Sequence, residues 1–224
     1  MCGAYNVKPN PYMMELAGQL RIPVPDERLN LRPGAYGQFV YETSERRHLQ
    51  EGMWSLLIER KPDGSGYRPS TKYSTFNARS RSLGTSPLWR KRFPTQRAII
   101  PASAFHEWTG PKGSKQCYSI APVDSAIAFA GLYEFWNFDG EIVPAYTTIT
   151  LPPHPRFDYI HDKSIPMMLR EEDFELWLDP TMTNTDPFQH LLVAEINTPL
   201  RVVPIKSPTN LEPIGEEEIL EPDQ

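Results

Sequence analysis

Cysteine stands at position 2, in Met1-Cys2-Gly3. Initiator methionine is commonly trimmed ahead of so small a side chain, and trimming leaves Cys2 with a free α-amine and a thiol on adjacent carbons. The amine titrates near ~7.7–8.0 and the thiol near ~8.5, so both nucleophilic forms exist at neutral pH. The thiolate can attack a carbonyl, as in a cysteine hydrolase. Alternatively the amine condenses with an aldehyde and the thiol closes onto the imine, giving a five-membered thiazolidine. An untrimmed, frayed terminus with an incidental cysteine is the competing reading, and on Cys2 alone it is the better one.

Three further segments carry side chains suited to such chemistry. Phe105-His106-Glu107-Trp108 lies in a strand pattern whose alternation sets Phe105 and Glu107 on one face and His106 with Trp108 on the other. A carboxylate among apolar and aromatic neighbours is a candidate for a raised pKa and for proton transfer. On this segment alone a rim carboxylate paired with an arginine is the better reading, and His106 reads as structural. In Asn77-Ala78-Arg79-Ser80 the amide offers both a donor and an acceptor, and Arg79 can fork onto a phosphate. A turn-forming asparagine is the plainer reading. His161 follows Phe157 and Ile160 at the end of a short predicted helix, suited either to shuttling protons near pH 7 or to capping the helix. The five histidines and two cysteines (Cys2 and Cys117) show no metal-ligand spacing, so neither metal nor cofactor is expected.

The elements that must hold these groups are mostly strands. Apolar runs predict strands near 37–41, 53–58, 97–101, 104–108, 116–121, 127–133, 145–150 and 200–205. Asn10-Pro11 followed by Met13, Leu16, Ala17 and Leu20 predicts an N-capped amphipathic helix. Short helices are predicted from Ser86-Pro87, His154-Pro155, near Glu171, and from Asp186-Pro187. The class is α+β with mostly antiparallel sheet. One domain is expected over 1–206, interrupted by a turn-rich flexible loop at 61–71. An acidic, poorly ordered tail is expected over 207–224.

Net charge is −5, yet it is unevenly spread. No acid lies between Asp63 and Glu107, where Arg68, Lys72, Arg79, Arg81, Arg90, Lys91, Arg92 and Arg97 supply eight positive charges. Tyr73, Phe76, Trp89 and Phe93 are interleaved with them. Cations that track phosphates, with aromatics that stack on bases, are what single-stranded nucleic acid requires. A solvated basic surface with its aromatics turned inward is the alternative. No apolar run is long enough to span a bilayer and no signal peptide opens the chain, so a cytoplasmic protein without a membrane partner is expected.

Taken together the segments resemble the SOS-response-associated peptidase (SRAP) family of abasic-site processing proteins. The matching marks are Met1-Cys2-Gly3; Arg28-Leu29-Asn30-Leu31-Arg32-Pro33, like that family's Arg-Tyr-Asn-x-x-Pro; and Trp54 in an apolar strand. They continue through Asn77-Ala78-Arg79-Ser80, Arg97 to Trp108, Ala130-Gly131-Leu132-Tyr133-Glu134, and His161 to Pro166. Departures include Ala4 and Lys163, where the family commonly carries arginine, and these soften phosphate contacts. The resemblance implies a barrel-like antiparallel domain with short peripheral helices, monomeric, and associated with the nucleoid when engaged on DNA. It implies that Cys2, freed of Met1 by the chain's own activity, captures the ring-opened aldehyde of an abasic site in single-stranded DNA. Glu107 would then deprotonate the Cys2 ammonium, His161 move protons at the sugar oxygen, and Asn77 hold the adduct. Arg79, Arg81, Trp54, Arg90, Arg92 and Lys163 would contact the DNA. Two rivals remain. One is an N-terminal-nucleophile amidohydrolase, which the absence of any Asn-Gly pair disfavours; the other is a non-catalytic single-strand-binding module.

Overall fold

The computed structural model describes residues 3–111 and 113–223. The chain runs β1 (Ala4–Val7), α1 (Pro11–Leu20), β2 (Arg28–Leu31), β3 (Tyr36–Glu42), β4 (Arg47–Trp54), β5 (Ile58–Arg60), β6 (Tyr67–Pro69) and β7 (Asn77–Arg79). It continues through α2 (Pro87–Arg90), β8 (Arg97–Ala102), β9 (Ala104–Thr109), β10 (Gln116–Pro122), β11 (Ile127–Phe138) and β12 (Glu141–Leu151). Last come β13 (Ile165–Pro166), α3 (Phe174–Leu178), β14 (Leu200–Ser207), β15 (Asn210–Pro213) and β16 (Glu218–Leu220).

One sheet has the order β15-β14-β10-β9-β1-β2, with β16 also on β14. The other runs β11-β8-β3-β4-β12-β13, with β7 also on β12. Because β11 pairs with β12 as well as with β8, β11-β8-β3-β4-β12 close into a ring. Among the described residues only the pairings of β12 with β4 and with β7 are parallel. The fold is therefore the α+β, mostly antiparallel, barrel-like architecture expected. Closure depends on Gly131, where a Cβ would lie 2.3 Å from both the Thr147 carbonyl oxygen and Ile100 Cδ1.

Aromatic side chains join the open sheet to the ring. Tyr5 on β1 meets Trp54 edge-on at 5.0 Å and Phe129 at 6.1 Å, and Phe105 on β9 meets Phe129 at 6.0 Å. The hydroxyls of Tyr5 and Tyr146 share a 2.5 Å hydrogen bond. Each such buried ring stabilises by about 1.5–3 kcal/mol, and each favourable ring pair adds about 0.5–1.5 kcal/mol. Helix α1 starts as predicted, with Asn10 Oδ1 accepting from the Met13 amide at 2.8 Å, and it buries Met13, Leu16, Ala17 and Leu20. It stops two residues before Pro23, where Arg21 takes a left-handed conformation and caps it.

Two expectations need correction. The loop at 61–71 is shorter, because Tyr67–Pro69 pairs with Ile58–Arg60. The tail from 207 is folded: β15 and β16 both add to β14, and Leu220 is buried in the common core. No helix among the described residues is long and apolar enough to cross a membrane.

Candidate active site and nucleic-acid interface

Strand β9 lies between β1 and β10, with Ala4 opposite His106 and Tyr118 opposite Glu107. The chain thus enters the open sheet one residue short of Glu107. Cys2 itself lies outside the described residues. Past β12, a turn over Pro155–Phe157 buries Phe157 and Ile160, and the His161 amide donates to the Phe157 carbonyl at 2.7 Å. These anchors bring His161 Nδ1 to 3.8 Å from Glu107 Oε2. That is too long for a direct hydrogen bond but within reach of one water or a small shift. Both side chains line an open cleft of about 470 Å³ with Trp108, Lys115, Asp162 and Lys163.

Burial sets the protonation of this pair. It raises the Glu107 carboxyl to about 7. It lowers His161 to about 4, with Lys163 and Lys115 pushing the same way against Asp162. Near neutral pH the imidazole is therefore uncharged, while the carboxyl is poised between acid and base. His106 is fully buried and also depressed to about 4, chiefly by burial, which fits its structural reading. Cys117 is buried and pushed up to about 11 by that burial, which leaves it a poor nucleophile.

A second recess, of about 290 Å³, lies beside the first. Strand β7 runs along β12, setting Asn77 beside Thr148 and Arg79 beside Thr150. Asn77 is buried, and the Thr148 hydroxyl donates to its Oδ1 at 2.5 Å. Arg79, Arg81, Lys163, Thr150 and Ser164 line the recess. The hydroxyls of Thr150 and Ser164 are buried without a partner among the described residues. Leaving such a group unsatisfied costs about 1–3 kcal/mol, which an acceptor or a water in the recess would offset. Lys163 lines both cavities, so the acid–base pair and the basic recess adjoin. The two hydroxyls were missed in the sequence, since nothing in the pattern of Thr150 or Ser164 relates either to Arg79.

Several DNA-contact expectations fail. Trp54 is fully buried, with its indole N–H donating to the Phe76 carbonyl at 2.8 Å, so it presents no ring face to a base. Arg92 is buried too: it pairs with Glu134 at 2.8 Å, donates to the Leu88 carbonyl at 2.8 Å and lies over Trp136. Arg97 donates to the carbonyls of Phe93, Pro94, Trp177 and Asp179, and Arg68 pairs with Glu59 at 2.8 Å. Trp89 and Phe93 belong to the core. Arg79, Arg81 and Lys163 remain exposed at the recess, while Arg90 is exposed on α2 outside both cavities. Among the described residues no cluster of three His, Cys, Asp or Glu could hold a metal ion.

The family model for SOS response associated peptidase (SRAP) matches residues 1–210. The chain belongs to the SRAP family. Among SRAP relatives, the abasic site processing protein YobE of Bacillus subtilis is 37% identical over 124 residues, 54% of this chain and 56% of that protein. The abasic site processing protein HMCES of Xenopus tropicalis is 27% identical over 159 residues, 61% of this chain and 46% of that one. The matches thus span about half the length of the curated relatives. A crystal structure of a Bordetella bronchiseptica protein superposes with a TM-score of 0.72 at 22% identity, covering 92% of this chain and 100% of that chain. One from Bacteroides thetaiotaomicron gives 0.72 at 20% identity, covering 92% and 96%. These last two likenesses concern the SRAP fold alone.

Proposed function

We propose that this SRAP protein processes abasic sites in single-stranded DNA by forming a thiazolidine crosslink through Cys2 once Met1 has been removed, by the chain's own peptidase activity. The observation that carries the reading is the approach of His161 to Glu107 in a cleft that shares Lys163 with the basic recess. The relatives' names, abasic site processing proteins, point to the same substrate.

In this scheme the closed sugar loses its hemiacetal proton and its ring oxygen gains one, exposing the aldehyde. The neutral His161 imidazole takes and returns these protons, exchanging them with the Glu107 carboxyl. The ionised Glu107 removes a proton from the Cys2 ammonium, whose ordinary value of ~7.7–8.0 is close to that of the carboxyl. The amine adds to the aldehyde, water leaves, and the thiolate closes onto the imine carbon while the nitrogen takes a proton. Asn77, fixed by Thr148, orients the adduct. Arg79, Arg81 and Lys163 neutralise flanking phosphates, to which Thr150 and Ser164 donate.

Incubation with an abasic oligonucleotide followed by a denaturing gel tests this. The parent is expected to give a durable covalent product. Cys2→Ser is expected to lose it and to retain only a borohydride-trappable imine, because a hydroxyl closes onto an imine far less readily than a thiolate. A Cys2→Ser protein that crosslinks as durably as the parent would rule sulfur out.

A further inference from the structure

Residues 218–223 lie beyond the stretch matched by the family model, yet they grip the segment that presents His161. Strand β16 adds to β14 and buries Leu220, which carries the following residues across the 154–161 turn. Asp223 Oδ2 accepts from the Ile196 amide at 2.7 Å and from His154 Nε2 at 3.0 Å. His154 Nδ1 accepts from the Arg156 amide, which leaves Nε2 to donate to Asp223. Asp223 Oδ1 takes Arg156 Nη2, and Arg156 Nη1 donates to the Glu221 carbonyl. The Asp223 amide closes the contact by donating to the Ile196 carbonyl at 2.8 Å. At the far end of the same turn the Tyr159 hydroxyl donates to Glu218 at 2.6 Å.

We infer that residues 218–223 form a clasp that positions His161 against Glu107, with Asp223 as its central positioning residue. His161 has no rigid strand of its own. It projects from a short turn fixed by Phe157 and Ile160 on its inner side, and by Asp223 and Glu218 on its outer side. The 3.8 Å gap to Glu107 leaves little room for drift. Misplacement by about 1 Å costs up to ~10²-fold in a positioned reaction.

The catalytic consequence rests on the crosslinking reading above; the mechanical one does not. Full-length Asp223→Ala is compared with the parent by hydrogen–deuterium exchange and by crosslinking to two substrates, a closed-ring abasic oligonucleotide and a small free aldehyde. Exchange is expected to accelerate over 155–161. Adduct formation is expected to slow about tenfold on the closed sugar and to change less than about twofold on the free aldehyde, whose carbonyl needs no ring opening. In a His161→Ala background the Asp223→Ala change is expected to add nothing. Tyr159→Phe, which removes one hydroxyl and no core contact, should give the same pattern in weaker form if Asp223→Ala fails to fold. Unchanged exchange over 155–161 overturns the clasp. Faster exchange with an unchanged closed-sugar rate, or equal slowing on both substrates, overturns its action through His161. If the parent forms no adduct with either substrate, the crosslinking reading falls, and the exchange result alone decides whether the clasp holds.

Discussion

Glu107 and His161 are displaced in opposite directions by one cause, exclusion from water, and the two displacements have opposite consequences for stability. The Glu107 carboxyl, raised to about 7, stays protonated in the fold between its ordinary value of 4.5 and 7, while the unfolded chain has already lost that proton. Its contribution is fully present below pH 4.5 and is lost as pH rises through 7, by about 3 kcal/mol in all. His161, depressed from 6.5 to about 4, contributes above pH 6.5 and loses that contribution as pH falls towards 4. Glu107→Gln keeps the shape and removes the first effect. The variant is expected to melt above the parent at pH 8 and to show a much smaller advantage at pH 5. Thermal melts at both values check this, and an advantage that is the same at each pH would mean the carboxyl is not held neutral by burial. Crosslinking by the parent should rise as pH passes 7, and in the variant the rise should move up to the ordinary range of the amine, ~7.7–8.0, where it loses its proton unaided. Glu107 was legible in the sequence because strand alternation and aromatic neighbours define its face. Its approach to His161 was not, since it depends on a turn 54 residues further along the chain folding back over β9.

At the scale of elements, strands whose apolar residues run in blocks were readable, and those made by polar residues finding a distant partner were not. Residues 97–101, 104–108 and 127–133 carry dense β-branched and aromatic side chains and fold as β8, β9 and β11. Residues 218–220 carry one buried side chain, Leu220, beside an acidic run that reads as solvated; they pair with β14, and the Glu218 side chain finds its partner, Tyr159, 59 residues earlier in the chain. Strand β7 is three residues long and owes its place to β12. Thr148 is the joint between the two, and Thr148→Val tests it: the shape is kept, but the donor to Asn77 Oδ1 is lost. Losing one buried hydrogen bond costs about 0.5–1.5 kcal/mol, so a lower melting temperature is expected. Slower adduct formation with unchanged single-strand affinity is expected alongside it, because Arg79 stays on the surface. Weakened DNA binding with a normal adduct rate would show that β7 places phosphate contacts and not the amide.

Across the whole molecule, the acid-free stretch from Asp63 to Glu107 misled because charge density along a sequence does not record which cations the fold consumes. Arg68 is paired with Glu59, Arg92 with Glu134, and Arg97 with a set of backbone carbonyls. Arg92 and Glu134 are 42 positions apart, and Arg97 reaches the Trp177 carbonyl across 80. Lys72, Arg79, Arg81, Arg90 and Lys91 remain exposed, and of these Arg79 and Arg81 converge with Lys163, from another segment, on one recess. Salt dependence separates the two classes of arginine. For a single strand, log affinity falls by about 0.7 per log unit of salt for each phosphate neutralised. Arg79→Ala, Arg81→Ala and Lys163→Ala are each expected to weaken binding and to flatten that slope by about 0.7. Arg92→Ala should leave the slope unchanged while lowering the melting temperature, because Glu134 is left half-buried without its partner. The readout is affinity for a short undamaged single strand across a salt series, which involves no covalent step. A flatter slope for Arg92→Ala would return that residue to the DNA surface, and an unchanged slope for all three recess variants would move the phosphates elsewhere.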